Sequence, residues 1–231
     1  MSSQKRIIVI VSTNLLGSGW ILLLSYDIMK KTTEKREKDM EVLKPELRER
    51  TIRAREALTP EERTVKSRQI CSSILHTLEY QESQTIMLYK SFRGEVLLTD
   101  MEAACAKDGK KIAYPVCTAG RKMMAVSGEN WKKGTFEIPE PDPETGEILS
   151  PKEIDLIICP CVAFDLKCYR LGMGGGYYDR FLSELGNEVK TWGVAFEVQK
   201  VEQIPIEPWD IPLRQVITES RIYYKSIQSG I

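Results

Sequence analysis

From residue 40 onward the apolar positions follow two different periods. Leu43, Leu47, Ile52 and Leu58 punctuate a charged segment, Val42 to Ala57, at roughly helical spacing, which predicts a first helix. Thr59-Pro60-Glu61-Glu62 reads as the start of a second. Threonine caps, proline takes the first helical position and Glu62 completes a capping box, so the helix is expected to run to about Leu78. Short apolar runs predict strands at Ile86 to Tyr89, Lys111 to Val116, Met123 to Ser127, Ile154 to Cys159, Thr191 to Phe196 and Val216 to Thr218. Asp100 to Lys107 and Tyr177 to Leu185 read as helices, and Pro139, Pro141, Pro143 and Gly146 predict a long loop. Strands alternating with helices argue for an α/β fold with a mostly parallel sheet, and no internal repeat is visible.

The first 40 residues break this pattern. Lys5 and Arg6 precede an apolar stretch from Ile7 to Leu24, interrupted by Ser12, Thr13, Asn14 and Gly17-Ser18-Gly19. Its 18 residues approach the ~20 that span a bilayer as a helix. A signal anchor, a cleaved targeting segment and an extension that the folded part does not need all compete. The basic start without early acids fits the first two, while the asparagine and the paired glycines weaken a stable span. The Lys/Glu-rich tract Lys30 to Asp39 reads as a solvated linker, so the chain divides into an extension, 1–40, and a globular domain, 41–231.

Composition narrows the chemistry. The 231 residues can bury a large core without disulfides or structural metal. Lys plus Arg and Asp plus Glu are each 33, so net charge offers no argument for nucleic acid. The one histidine, His76, excludes a His-rich metal site, and its place late in the second helix predicts a partly buried structural role rather than a general base. The six cysteines form no C-x-x-C pair, and Cys159-Pro160-Cys161 is a poor zinc half-site, so they read as reduced thiols of an intracellular protein, with a redox or zinc site as the alternative.

Chemistry concentrates at Ala163-Phe164-Asp165 and at Arg170-Leu171-Gly172-Met173-Gly174-Gly175-Gly176-Tyr177-Tyr178-Asp179-Arg180. Glycines just before a helix allow backbone N–H groups close to an anion, and the helix start adds unpaired donors. The segment therefore reads as a phosphate cradle, with Arg170 as a bidentate contact and Asp179 as a magnesium carboxylate. The plainer alternative is a flexible glycine turn. Two common nucleotide fingerprints fail: Tyr177 stands where G-x-G-x-x-G needs its third glycine, and no G-K-[ST] occurs.

The run Arg170 to Arg180 preceded by Ala-Phe-Asp resembles the 5-formyltetrahydrofolate cyclo-ligase family. Lys44-Pro-Glu-Leu-Arg48, Ser91 to Val96 with Glu95, Phe136 to Pro141, Pro205 to Asp210 and Val216 to Glu219 resemble further landmarks of that family in its order. The resemblance covers about residues 41 to 220. It implies a three-layer α/β/α Rossmann-like domain and an enzyme that closes 5-formyltetrahydrofolate to 5,10-methenyltetrahydrofolate with ATP as co-substrate and Mg2+ as cofactor. By resemblance Arg170 and Tyr177 carry the catalytic assignment. Lys44, Arg48 and Arg170 to Tyr178 (Leu171, Gly172, Met173, Gly174, Gly175, Gly176 and Tyr177 included) contact ATP. Lys90, Glu95 and Met173 to Tyr177 contact the folate, and Asp179 and Asp210 hold the metal. One of Tyr177 and Tyr178 is expected to stack on a flat ring and the other to pack in the core.

Four departures from the family pattern stand out: Cys168 where glycine is usual, Thr99 one place further from Glu95, Arg214 where an acid is common and threatens the metal site with a positive charge, and the extension itself. Arg214 and the shifted Thr99 sustain an alternative, a catalytically degraded relative that binds folate, RNA or a partner as an adaptor, against which the intact Arg170 to Asp179 run argues. The leading expectation is a monomeric cytoplasmic ligase with no nucleic-acid partner. A membrane contact through residues 7–24 or a mitochondrial address is the alternative location.

Overall fold

The computed structural model describes residues 43–134, 137–186 and 189–225, so the extension, Phe136 and the last six residues lie outside the described residues. Helix α1 covers residues 43–56. Helix α2, Pro60–Leu75, starts on the capping box seen in the sequence: the Thr59 hydroxyl accepts the Glu62 N–H and the Glu62 carboxylate accepts the Thr59 N–H. The helix stops short of Leu78, because the Thr77 hydroxyl accepts the Tyr80 N–H and opens a separate short helix, α3, Leu78–Glu82. His76 caps α2 and is exposed rather than partly buried; its Nδ1–H donates to the Ser72 carbonyl at 2.7 Å.

Strands β1 (Thr85–Met87), β2 (Lys111–Thr118), β3 (Lys122–Ser127), β6 (Glu147–Leu149), β7 (Leu156–Pro160), β10 (Lys190–Val194), β11 (Gln215–Ile217) and β12 (Ile222–Tyr224) form one sheet in the order β12-β11-β10-β7-β1-β2-β3-β6. Its centre, β11 to β2, is parallel, and β12, β3 and β6 flank it antiparallel. Helix α4, Thr99–Lys107, links β1 to β2, and α5, Tyr177–Ser183, precedes β10. Side chains alternate across the sheet with period two. Ile86, Leu156, Ile158 and Trp192 pack against Ile70 and Ile74 of α2 and Met101 of α4. Met87, Ile157 and Cys159 pack on the other face against Phe181 and Leu182 of α5. Helices on both faces make the three layers, and strands covered on both faces explain the unbroken apolar run of β7.

The proline-rich stretch holds more structure than a loop. β5, Pro139–Pro141, pairs antiparallel with β4, Trp131–Lys133, in a separate two-stranded ribbon, so its prolines lie on an edge strand. A second ribbon joins β8, Ala163–Phe164, to β9, Arg170–Leu171. Its turn is organised by buried Asp165, whose carboxylate accepts the N–H groups of Lys167, Tyr169 and Ile204. Cys168 adopts a left-handed φ of 61°, which glycine tolerates best, and is held there by burial and by its Sγ contact to the Tyr223 carbonyl at 3.4 Å. All six cysteines are free thiols, five of them buried.

Candidate active site

From β1 the chain passes to β2 on one side, and it returns to β7 on the other side of β1. The carboxyl ends of β1 and β7 thus form a topological switch point, the place where open α/β sheets hold ligands. Two segments leave the sheet there: residues 88–98 after β1, and the β8–β9 ribbon with the glycine run after β7. Residues far apart in sequence meet because neighbouring parallel strands end at the same edge.

Two adjoining clefts open at this edge. The first, about 430 Å³, is polar, with Lys44 and Arg48 of α1, Arg121, Arg170 and Arg180 facing Asp179, Glu207 and Asp210. The second, about 220 Å³, is mostly apolar and takes in Lys90, Glu95, Tyr114, Met173, Tyr177 and Tyr178. Arg170, Gly172, Gly175, Gly176 and Asp179 line both and form a shared wall.

The glycines differ in what they do. Gly174 has φ +98° and Gly176 has φ +66°, conformations that a side chain resists, whereas Gly175 has no positive φ. At Gly175 the constraint is close approach: a Cβ there would stand 2.6 Å from the Tyr177 ring. At Gly172 a Cβ would meet nothing within 4 Å, so this glycine faces open cleft. Arg48 Nε donates to the Gly172 carbonyl at 2.8 Å, and Arg180 Nη1 donates to the carbonyls of Gly175 and Gly176, each at 3.0 Å, so the loop is tied down from both sides.

Arg170 lies on β9 with its side chain 3% exposed and pairs with Asp179 at 3.0 Å, one turn into α5. Burial, the largest single influence, would lower the guanidinium; Asp179, with Cys159, Cys161 and Tyr178, together outweigh it and leave it raised. The Tyr178 ring lies under Arg170 at 5.6 Å, and its buried hydroxyl has no partner among the described residues. Lys44 reaches across the first cleft to Glu207 at 2.6 Å and Asp210 at 2.9 Å. Arg48 is held below its ordinary value by burial, against the pull of Glu207 and Asp210. In the second cleft Lys90 pairs with Glu102 at 2.7 Å and lies within 4.9 Å of the Trp131 ring and 4.8 Å of the Tyr114 ring. Burial pushes the Glu95 carboxyl up to about 7, in spite of Arg55 and the Phe92 N–H that it accepts.

The structure therefore brings the residues expected to contact ATP, folate and metal to one edge, but sorts them differently. Lys44, Arg48, Leu171 and Gly174 face the first cleft, while Met173, Tyr177 and Tyr178 face the second. Asp179 and Asp210 share the first cleft, each already engaged with a cation. Arg214 lines neither cleft; it is exposed, with its backbone paired to Thr191 and Lys225, so its charge does not crowd the acids. Arg121, Glu207 and Trp209 escaped the sequence reading. Glu207 and Trp209 sit inside the Pro205 to Asp210 stretch that carries part of the resemblance, but Arg121 follows a glycine turn after β2, and no local pattern marks such a residue.

A scan against protein-family models matches residues 40–219 to the family described as 5-formyltetrahydrofolate cyclo-ligase. The chain belongs to that family. The Escherichia coli 5-formyltetrahydrofolate cyclo-ligase is 31% identical over 73% of this chain and 96% of its own length, and the mouse enzyme of the same name is 29% identical over 77% and 92%. Among solved structures, the 5,10-methenyltetrahydrofolate synthetase of Aquifex aeolicus is 33% identical with a TM-score of 0.71, covering 82% of this chain and 96% of that one. The Mycoplasma pneumoniae synthetase is 25% identical with a TM-score of 0.65, over 76% and 98%. In this cyclo-ligase-family chain no group of three or more His, Cys, Asp or Glu is placed to hold a metal, among the described residues.

Proposed function

We propose that this chain converts 5-formyltetrahydrofolate to 5,10-methenyltetrahydrofolate at the expense of ATP, which becomes ADP and phosphate. The observation that carries the reading is the shared wall between a polar, arginine-rich cleft and an apolar one. Family membership supports the substrates; the wall supports the reaction type. A triphosphate suits the first cleft, whose five cations, Lys44, Arg48, Arg121, Arg170 and Arg180, outnumber its three acids. The flat folate ring suits the second.

The chemistry needs the two ligands in contact. The formyl oxygen attacks the γ-phosphorus and ADP leaves, which turns an amide-like oxygen into a good leaving group. N10 of the same folate then attacks the formyl carbon; the C–O bond breaks as phosphate departs and N10 loses its proton, leaving the methenyl bridge. Nucleophiles and leaving groups all belong to the ligands, so the protein's work is alignment and charge neutralisation. Arg170 is placed for both, since its guanidinium stands in the wall where the phosphoryl group crosses. Tyr177 lines the folate side of that wall.

The donor set fits a magnesium ion of the kind that keeps its waters and takes one or two carboxylates plus phosphate oxygens. Asp179 and Asp210 line the same cleft, and the described hydrogen bonds leave Oδ2 of Asp179 and Oδ1 of Asp210 uncommitted. Bound there, Mg2+ would supply charge for the phosphate oxygens. We place the reaction on residues 41–231 as a monomer, in a compartment that supplies ATP and reduced folate. The test is growth of methenyl-folate absorbance from 5-formyltetrahydrofolate with one ADP and one phosphate per turnover. Absorbance growth that is indifferent to ATP would sink the reading.

A further inference from the structure

Behind the second cleft stands a charged side chain that the mechanism leaves unused. Arg55, on α1, is fully buried, among the largest such side chains in the protein. An ordinary core would fill that volume with an apolar residue, and such a replacement is often neutral or stabilising. Among the described residues only one part of the guanidinium is satisfied: Nη2 donates to the Arg93 carbonyl at 2.8 Å, while Nε and Nη1 have no hydrogen-bond partner there. Nη1 lies 3.8 Å from Oε1 of Glu95, near enough for attraction and too far for a hydrogen bond.

Glu95 is the other half of the pair. It lines the second cleft, and burial pushes its carboxyl up to about 7, so its charge is undecided near neutral pH. The other groups facing it are Tyr89 after β1, Cys161 after β7 and Tyr178 of α5, all pushed by burial toward their neutral forms. Lys90, its neighbour in the cleft, is taken by Glu102. Behind Arg55, Arg93 and Glu56 neutralise each other at 3.1 Å. Among the described residues, Arg55 is therefore the cation with unused donors that faces Glu95.

We propose that Arg55 is a positioning residue for Glu95: when the second cleft fills, the Glu95 carboxylate is drawn onto the Nε and Nη1 donors of Arg55 and fixed as an ionised acceptor for the ligand's N–H groups. The inference rests on the folate reading of that cleft. The helix geometry favours a rigid support. Arg55 follows Lys44 by 11 residues, about three turns, so one face of α1 carries cations to both clefts.

The test is direct binding of 5-formyltetrahydrofolate, without ATP, to the full chain and to Arg55→Met, Arg55→Lys and Glu95→Gln across pH, alongside ATP binding. In the wild type, folate binding tightens as pH rises through about 7, where Glu95 ionises. Arg55→Met weakens folate binding at least about tenfold at pH 7, moves the pH limb upward by about one unit, and leaves ATP affinity within about twofold. Arg55→Lys keeps the limb near its wild-type place, and Glu95→Gln abolishes it. A folded Arg55→Met with wild-type affinity and an unmoved limb overturns the proposal. Should that variant not fold, the carbon-13 carboxyl titration of Glu95 in the wild type decides: it must fall by about one unit on folate binding, and no fall overturns the proposal. Absence of folate binding to the wild type at every pH would instead refute the folate reading itself, and the proposal with it.

Discussion

Replacing Asp179 with asparagine should separate two duties of one carboxylate, the pairing with Arg170 seen in the structure and the proposed hold on magnesium. Asp179 is the charge partner of Arg170, whose side chain is 3% exposed and whose hydrogen bond to the Ile211 carbonyl is a long 3.4 Å. Breaking a buried ion pair costs about 3–5 kcal/mol. The asparagine amide would keep an acceptor oxygen for Arg170, and Asp179 is 25% exposed, so the cost should fall at or below the bottom of that range, about 2–3 kcal/mol. For a chain of this size that is a fall in Tm of about 4–12 °C. Simple loss of turnover on an intact fold, the outcome expected of a mere metal ligand, is thus only half of what Asp179→Asn should show. Urea unfolding reads the first duty and turnover against magnesium concentration reads the second. Arg170→Met combined with Asp179→Asn should recover part of the stability, because no buried charge is then left alone, and should recover no turnover. An unfolding midpoint unchanged by Asp179→Asn would refute the pairing argument, and near-normal turnover at limiting magnesium would remove Asp179 from the metal site.

Gly172→Ala and Gly174→Ala should fail in opposite ways. The first adds a methyl to open cleft and should weaken ATP binding in calorimetry with an unchanged Tm; the second forces a side chain to φ +98° and should destabilise by about 1–3 kcal/mol. Stability should fall as pH rises from about 4.5 to about 7, because Glu95 stays protonated in the fold while the unfolded chain has ionised. Below that window both states are protonated, above it the loss is complete, on the order of 3 kcal/mol, and Glu95→Gln should flatten the profile of chemical denaturation. A chain beginning at Met40 keeps Lys44 and Arg48, so its turnover should match the full chain within about twofold while fractionation loses any membrane-bound share; abolished turnover with a retained fold would place the extension in the site.

Local chemistry was legible wherever one segment contained its own cause. The Thr59–Glu62 capping box, the buried runs of β1 and β7 and the glycine-to-helix junction at Gly176 can be read without knowing what they touch. Elements that depend on partners were not. β5 looks like a proline loop because its prolines are tolerable only on an edge strand, and that edge is defined by β4. The second helix seemed continuous because a threonine inside a helical pattern gives no sign that its hydroxyl will cap a new one.

The site shows the same limit more sharply. Periodicity can put Lys44 and Arg48 on one helical face, but a charged face is normally solvated, and nothing local separates those two from Arg55. The difference comes from the sheet. Because β1 and β7 end side by side, the turn after β1 carries Glu95 inward, and the α1 residue that meets it becomes a buried cation instead of a surface one. The same juxtaposition puts Arg170 in the wall between the two clefts, although it lies on a two-residue strand with no periodicity to read. Charge on this chain acquires its setting from topology: identical residue types at helical spacing become cations of the polar cleft, a carboxylate's counterion or solvent-facing side chains according to which strand ends lie beneath them.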